Sequence, residues 1–319
     1  MTAADPAEAD VAPTGRQLSL DAAGYHADVT EVGGHLRTLT WNGRPLVREF
    51  GADRIPPLYS GAVLAPWPNR IADGRYTFRG NQFQLPINEV DRATALHGLV
   101  ADRPWSIAEV AAHSVLLRHR VWPTQGYPFL LDLELRYSLD HAGLTMELVT
   151  RNIGTTDAPY GCSIHPYLVA GPGTVDDWTL RLPAGNFLSV DADRLLPREL
   201  LPVQEFDFRA GRSLDGLVVD HAFTGLTWDG SGHCALDIVD KDGSGTRMSW
   251  GRATPWVQIC TADRPEPGLH RTGLAAEPMT CPPDAFNSGI DLVTLGAARN
   301  PATRIRIAGI DGSGSPGLQ

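Results

Sequence analysis

An all-β fold, a large antiparallel sandwich or barrel, follows from three features of the 319-residue sequence. Between 129 and 139, Phe129, Leu131, Leu133, Leu135, Tyr137 and Leu139 alternate with Leu130, Asp132, Glu134, Arg136 and Ser138, the pattern of a strand with one buried face. Shorter apolar pieces recur along the chain, punctuated by 33 Gly and 25 Pro, residues that suit turns and interrupt helices. No segment sustains the i, i+3, i+4, i+7 spacing of a core-facing helix, which argues against a βαβ arrangement.

In chain order, LRTLTW (36–41) runs into Asn42-Gly43, and Gly80-Asn81 lies between RYTF and QFQL. Both dipeptides suit the primed turns whose twist matches that of paired strands. Tyr76 and Phe78 then share a face with Phe83 and Leu85. The strand at 129–139 turns at His141 to Gly143, after which Leu144, Met146 and Leu148 resume the alternation as the second arm of a hairpin. TLRL (179–182), ALDIV (235–239), WVQIC (256–260) and RIRIAG (304–309) supply further short strands. No repeat or interior linker divides the chain, so 17–310 is expected to form one domain. It is flanked by a compositionally disordered N-terminal segment, 1–16, and a flexible tail, 311–319.

With 42% apolar and 20% charged residues the chain can bury a sizeable core. A net charge of −10 and the lack of any basic run argue against nucleic acid or an anionic membrane as partner, and favour a small neutral or weakly charged one. The cysteines at 162, 234, 260 and 281 have no CxxC spacing and read as reduced core thiols. The first residues are acidic and Pro/Ala-rich with no apolar stretch, and nowhere do about 18 consecutive apolar residues occur, so a cytoplasmic protein is expected. A Gly-rich phosphate loop, a GxSxG elbow and an HExxH helix are all missing, which sets aside nucleotide, serine-hydrolase and zincin chemistry.

What remains is a set of polar residues in Pro- and aromatic-rich loops: APWPNRIADG (65–74), LHGL (96–99), SIHPYL (163–168), VVDHAF (218–223) and LAAEPMTCPPDAFNSG (274–289). Their order and content resemble the aldose 1-epimerase (galactose mutarotase) family. The matching pieces are Asn69-Arg70 followed by Gly74, Tyr76, Phe78 and Gly80; His97-Gly98 with Trp105; and His165 with Tyr167. They continue with DRLLP (193–197), EFDFR (205–209), Asp220-His221 with Phe223, and Glu277-Pro278 with Asp284 to Asn287. The resemblance spans most of 60–290.

The resemblance implies a β-sandwich of the galactose mutarotase type with an open sugar cleft. It also implies an isomerase of carbohydrate metabolism that interconverts the α and β anomers of a free aldose without metal or organic cofactor, as a monomer or homodimer. Glu277 matches the family's general base and His165 its general acid. A carboxylate is ionised at neutral pH, and an imidazole can give and retake a proton there. His97, Arg70 and Asp220 match the groups that grip ring and hydroxyl oxygens, with Asn69 a further binding candidate. Trp67, Trp105, Trp122 and Tyr167 could wall a sugar, although core packing is the plainer reading of each.

This chain reads Ser163-Ile164-His165-Pro166-Tyr167-Leu168 where the galactose enzymes carry Thr-Asn before the histidine and Phe-Asn after it. Another hexose, a pentose, or an acidic sugar such as a sulfosugar or sugar phosphate is therefore open. Two rivals are a non-catalytic carbohydrate-binding or sensing protein of the same fold, and a glycoside hydrolase or lyase pairing Asp220 with Glu277.

Overall fold

A computed structural model describes residues 12–296 and 301–312; the expected terminal segments, 1–16 and 311–319, lie mostly outside that range. The alternating sequence at 129–139 becomes the strand Leu131–Asp140, paired with Gly143–Asn152 in a hairpin that sets Leu135 opposite Leu148 and Tyr137 opposite Met146. Leu131, Leu133, Leu135, Tyr137 and Leu139 are buried while the residues between them are partly exposed. This hairpin anchors a nine-stranded antiparallel sheet that also takes in Thr179–Arg181, His233–Val239 and Ala302–Ile310, all foreseen as short apolar strands. Among the described residues the single α-helix is one turn, Ala285–Ser288.

Both expected hairpins form, one of them shifted by a residue. Trp41 pairs with Arg44 across Asn42-Gly43, whose φ values of 50° and 79° are those of a primed turn. In the second, Phe78 pairs with Asn81, so the turn is Arg79-Gly80 with φ of 50° and 79°, and Asn81 begins the next strand. The shift places glycine second in the turn, as in the first hairpin. Tyr76 lies opposite Phe83 with ring centroids 5.0 Å apart, as the shared face requires.

The opposing layer is a six-stranded sheet in the order Tyr167–Leu168, Leu274–Met279, Trp256–Cys260, Asp220–Thr224, Asn186–Val190, Pro197–Pro202. Its register sorts residues onto two faces. Phe223, Val257, Ile259, Leu274 and Ala276 point into one core shared with Leu133, Leu135, Tyr137, Ile305 and Ile307 of the larger sheet, which makes the fold a sandwich. On the other face, Gln258 lies opposite both Ala222 and Glu277, and Cys260 opposite both Asp220 and Ala275. That outer face of the small sheet carries the polar residues. The cysteines are all free, with Cys162, Cys234 and Cys281 buried and Cys260 half-buried. Trp67, Trp105 and Tyr167 are buried, whereas Trp122 is 64% exposed.

Two short ribbons carry loops to this face: Val63–Leu64 with Ser163–Ile164, and Arg70–Ala72 with Thr94–Leu96. They are pinned where Gly98 meets Ala65, Leu99 N–H donating to the Ala65 carbonyl at 2.7 Å. A Cβ on Gly98, at φ +78°, would lie 2.1 Å from that carbonyl oxygen; one on Gly80, at φ +79°, would meet nothing within 4 Å. Urea denaturation of Gly98→Ala should therefore show a loss at least ~1 kcal/mol greater than that of Gly80→Ala, since both share the left-handed backbone cost and only the first adds a clash.

Candidate active site

Glu277 is held by the strand Leu274–Met279, with Gln258 as its cross-strand neighbour. The loop bearing His165 is tied to that strand at two points: Ser163 Oγ donates to the Pro278 carbonyl at 2.9 Å, and Ala276 N–H to the Pro166 carbonyl at 3.3 Å. His165 N–H donates to the Ala62 carbonyl at 2.9 Å, while its own carbonyl accepts from Gly61 N–H at 2.8 Å. These bonds set His165 Nε2 3.2 Å from Glu277 Oε1, with side chains 7% and 2% exposed.

His97 enters from the ribbon on the other side. Its N–H donates to the Asn69 carbonyl at 2.9 Å and its φ is +63°, a turn that aims the imidazole inward. The ring stands edge-on to His165, centroids 5.2 Å apart, and against Tyr59 at 4.7 Å. His97, His165 and Glu277 thus place one ring nitrogen each and a carboxylate oxygen within 4.8 Å of one another. Such a trio has the residue types of a divalent-cation site, although ligands of a single zinc lie at most about 4.2 Å apart.

Arg70 opens the strand Arg70–Ala72, and its Nε and Nη2 donate to the Glu89 carboxylate at 2.8 and 2.9 Å. Glu89 also accepts from Thr94 Oγ1 and Arg92 Nη1, so the guanidinium is fixed from behind. Asn69 Oδ1 accepts from Arg70 N–H, turning that side chain back onto its own loop. Asp220 joins through Gln258, whose Nε2 donates to Asp220 Oδ1 at 2.7 Å. The structure therefore brings Glu277, His165 and His97 together directly, and adds Asp220 and Arg70 on adjoining elements. Glu89, Gln258 and Tyr59 were not foreseen. A glutamine inside the apolar run WVQIC was a usable signal for Gln258; nothing local in sequence marks Glu89 or Tyr59.

The site is buried and under-satisfied among the described residues. His97 Nδ1, His165 Nδ1, Gln258 Oε1 and Glu277 Oε2 are buried with no hydrogen-bond partner, at odds with the rule that buried polar groups are paired unless a ligand completes them. Burial and the neighbouring Asp220 charge hold the Glu277 carboxyl well above the usual carboxylate range, opposed in part by Arg70. Burial, reinforced by the positive charges of Arg48 and Arg264, lowers His165 to about 3. Burial also pushes His97 well below the ordinary imidazole value, with His165 and Arg70 adding to the effect. A cavity of about 550 Å³ flanks the site, with His97, Tyr59, Leu58 and Leu96 in its wall but neither His165 nor Glu277.

The chain is similar to known proteins in sequence and in fold. The family description "Aldose 1-epimerase" matches residues 16–300. The Escherichia coli (strain K12) protein YihR is 40% identical over 287 residues, covering 88% of this chain and 89% of that one. The galactose mutarotase of Sus scrofa is 30% identical over 221 residues, covering 64% of this chain and 63% of that one. Among solved structures, an aldose epimerase homologue from C. elegans has the same fold, with a TM-score of 0.81 at 21% identity over 93% of this chain and 99% of that one. By the family match across most of its length, the chain belongs to the aldose 1-epimerase family, an isomerase family.

Proposed function

We propose that this protein interconverts the α and β anomers of a free aldose, with Glu277 as general base and His165 as general acid. The observation that carries the reading is the convergence of four unpartnered buried polar atoms around a His165–Glu277 contact of 3.2 Å, a geometry that asks for a ligand rich in hydroxyl groups. Glu277 takes the proton from the anomeric hydroxyl while His165 gives one to the ring oxygen. The C1–O5 bond breaks and the open-chain aldehyde forms. Rotation about C1–C2 presents the other carbonyl face, and closure returns both protons. Arg70 and Asp220 hold sugar hydroxyls, His97 steadies the ring oxygen or its neighbour, and Asn69 holds the His97 loop through its carbonyl.

The opposed shifts of the two groups fit this cycle. A charged imidazolium beside a carboxylate and a neutral imidazole beside a carboxylic acid contain the same number of protons. Burial by itself favours the neutral arrangement. A bound sugar, bringing hydroxyl donors to Glu277 and an oxygen acceptor to His165, favours the charged one. The pair thus stores one exchangeable proton and titrates as a unit.

NMR exchange between anomers should be accelerated by wild type. In Glu277→Gln and His165→Asn, kcat should fall about 10²- to 10⁴-fold with the thermal melt retained. Full activity in either folded variant would remove that residue from the chemistry. Arg70→Ala and Asp220→Ala should chiefly raise KM, and unchanged kinetics in both would place the sugar elsewhere. The pH profile of kcat/KM should be bell-shaped. Its acid limb should lie near 3, where His165 and Glu277 both become protonated and no base is left. Its alkaline limb should lie above the ordinary carboxylate range, where the shared proton is lost and no acid is left. A flat profile through the alkaline region up to the onset of unfolding would count against the shared proton.

A further inference from the structure

Two guanidinium groups beside this site face no carboxylate among the described residues. Arg48 is anchored by its backbone N–H to the Tyr167 carbonyl at 2.7 Å, and its guanidinium carbon lies 3.9 Å from the Tyr167 ring centroid. Its Nη2 and Nη1 donate to Ser60 Oγ and Thr272 Oγ1, and its Nε is buried without a partner. Arg264 follows the strand Trp256–Cys260 by four residues, just past Ala262, which packs with Tyr167 and Ala275. Among the described residues its guanidinium makes no hydrogen bond or ion pair, and its Nε too is buried and unpartnered. The adjacent Asp263 is drawn to Arg271 at 2.7 Å. Other arginines with partly buried heads are fully engaged: Arg70 has Glu89 at 2.8 Å and Arg247 has Asp237 at 2.7 Å, while Arg44 donates to the Ala170, Gly245 and Ile310 carbonyls.

In a chain of net charge −10, two half-buried cations side by side without a counter-ion form an unfinished electrostatic site. Both adjoin Tyr167, whose ring stacks on His165 at a centroid distance of 5.1 Å. The charges of both are felt at the His165 imidazole, where they oppose protonation. An anion placed between them and the imidazole would offset that effect. If His165 serves the ring oxygen, the exocyclic carbon of a hexopyranose is two bonds from the atom it touches. With that carbon turned toward Tyr167, a charged group on it faces the two arginines.

We infer that Arg264, backed by Arg48, forms an anion subsite, and that the preferred substrate is an aldose whose exocyclic carbon bears a multi-oxygen anion: a carboxylate, a phosphate or a sulfonate. This rests on the mutarotase reading above, and it names the substrate class of the same site. Arg264 supplies free N–H donors and charge. Arg48, already committed to Ser60 and Thr272, is a positioning residue that fixes Tyr167 and raises the local potential.

The test is anomer exchange by NMR with glucose, glucuronate, glucose 6-phosphate and glucose bearing a 6-sulfonate, for wild type, Arg264→Gln and Arg264→Lys, each checked for folding by its thermal melt. At least one anionic aldose should exceed glucose in kcat/KM about ten-fold or more, and the anion with the largest ratio identifies the group. In Arg264→Gln that ratio should fall about ten- to a hundred-fold, the worth of one charge-assisted hydrogen bond, mainly through KM, with partial recovery in Arg264→Lys. A wild type that handles glucose as well as every anionic aldose would overturn the subsite, as would an Arg264→Gln variant in which the ratio is unchanged. If no aldose at all is accelerated, the mutarotase reading fails instead. Calorimetric titration with the same four sugars then judges the subsite alone: an anionic sugar bound more tightly than glucose, with the difference lost in Arg264→Gln, upholds it, and equal binding overturns it.

Discussion

Removing a carboxylate from water costs several kcal/mol unless something nearby accepts its charge or its proton, and Glu277 is 2% exposed. His165 at 3.2 Å is the partner that makes this tolerable, since a proton can lie on either side of the contact. Most of the surrounding architecture can be understood as keeping that contact short and buried. The loop of His165 is stitched to the strand of Glu277 through Ser163 and Pro166. Tyr167 and His97 close over the imidazole from two sides. Asp220 stands close enough to disfavour a second negative charge, while Arg70 limits how far that effect goes.

Rigid and adjustable parts are divided between sheet and loops. Glu277, Gln258 and Asp220 sit at fixed register positions on three adjacent strands, where backbone pairing leaves little freedom. Arg70, His97 and His165 come from short ribbons and turns, each steadied by one or two specific bonds, such as the double contact of Arg70 with Glu89. Arg48 and Arg264 lie farther out, at the margin where the sheet gives way to loops. The site therefore joins strand-borne groups, fixed by register, to loop-borne groups on elements that can change without disturbing the sandwich.

The sequence discloses these parts unequally. The hairpin at 131–152 is legible because one face meets water, so polarity alternates with the backbone period. The strand of Glu277 is buried on both faces, and LAAEPM carries no alternation to read. Family resemblance is what marks Glu277 in the sequence, and only spatial contact marks its neighbours. Glu89 is 19 positions from the arginine it holds, and Arg264 lies far along the chain from Tyr167, so no window of sequence joins them. The one-residue shift of the turn at Arg79-Gly80 has a similar cause: either placement keeps Tyr76, Phe78, Phe83 and Leu85 on one face, and only backbone geometry separates them.

The strand Trp256–Cys260 sends Val257 and Ile259 into the sandwich and Gln258 and Cys260 outward. Because adjacent residues face opposite ways, sliding this strand by one place would bury the glutamine in the oily interior and bring valine and isoleucine up beside Glu277. Such a slip would damage packing and chemistry together. Correct register is thus a single requirement that packing and the surroundings of Glu277 share, so a sheet that has packed its core has also assembled the polar face.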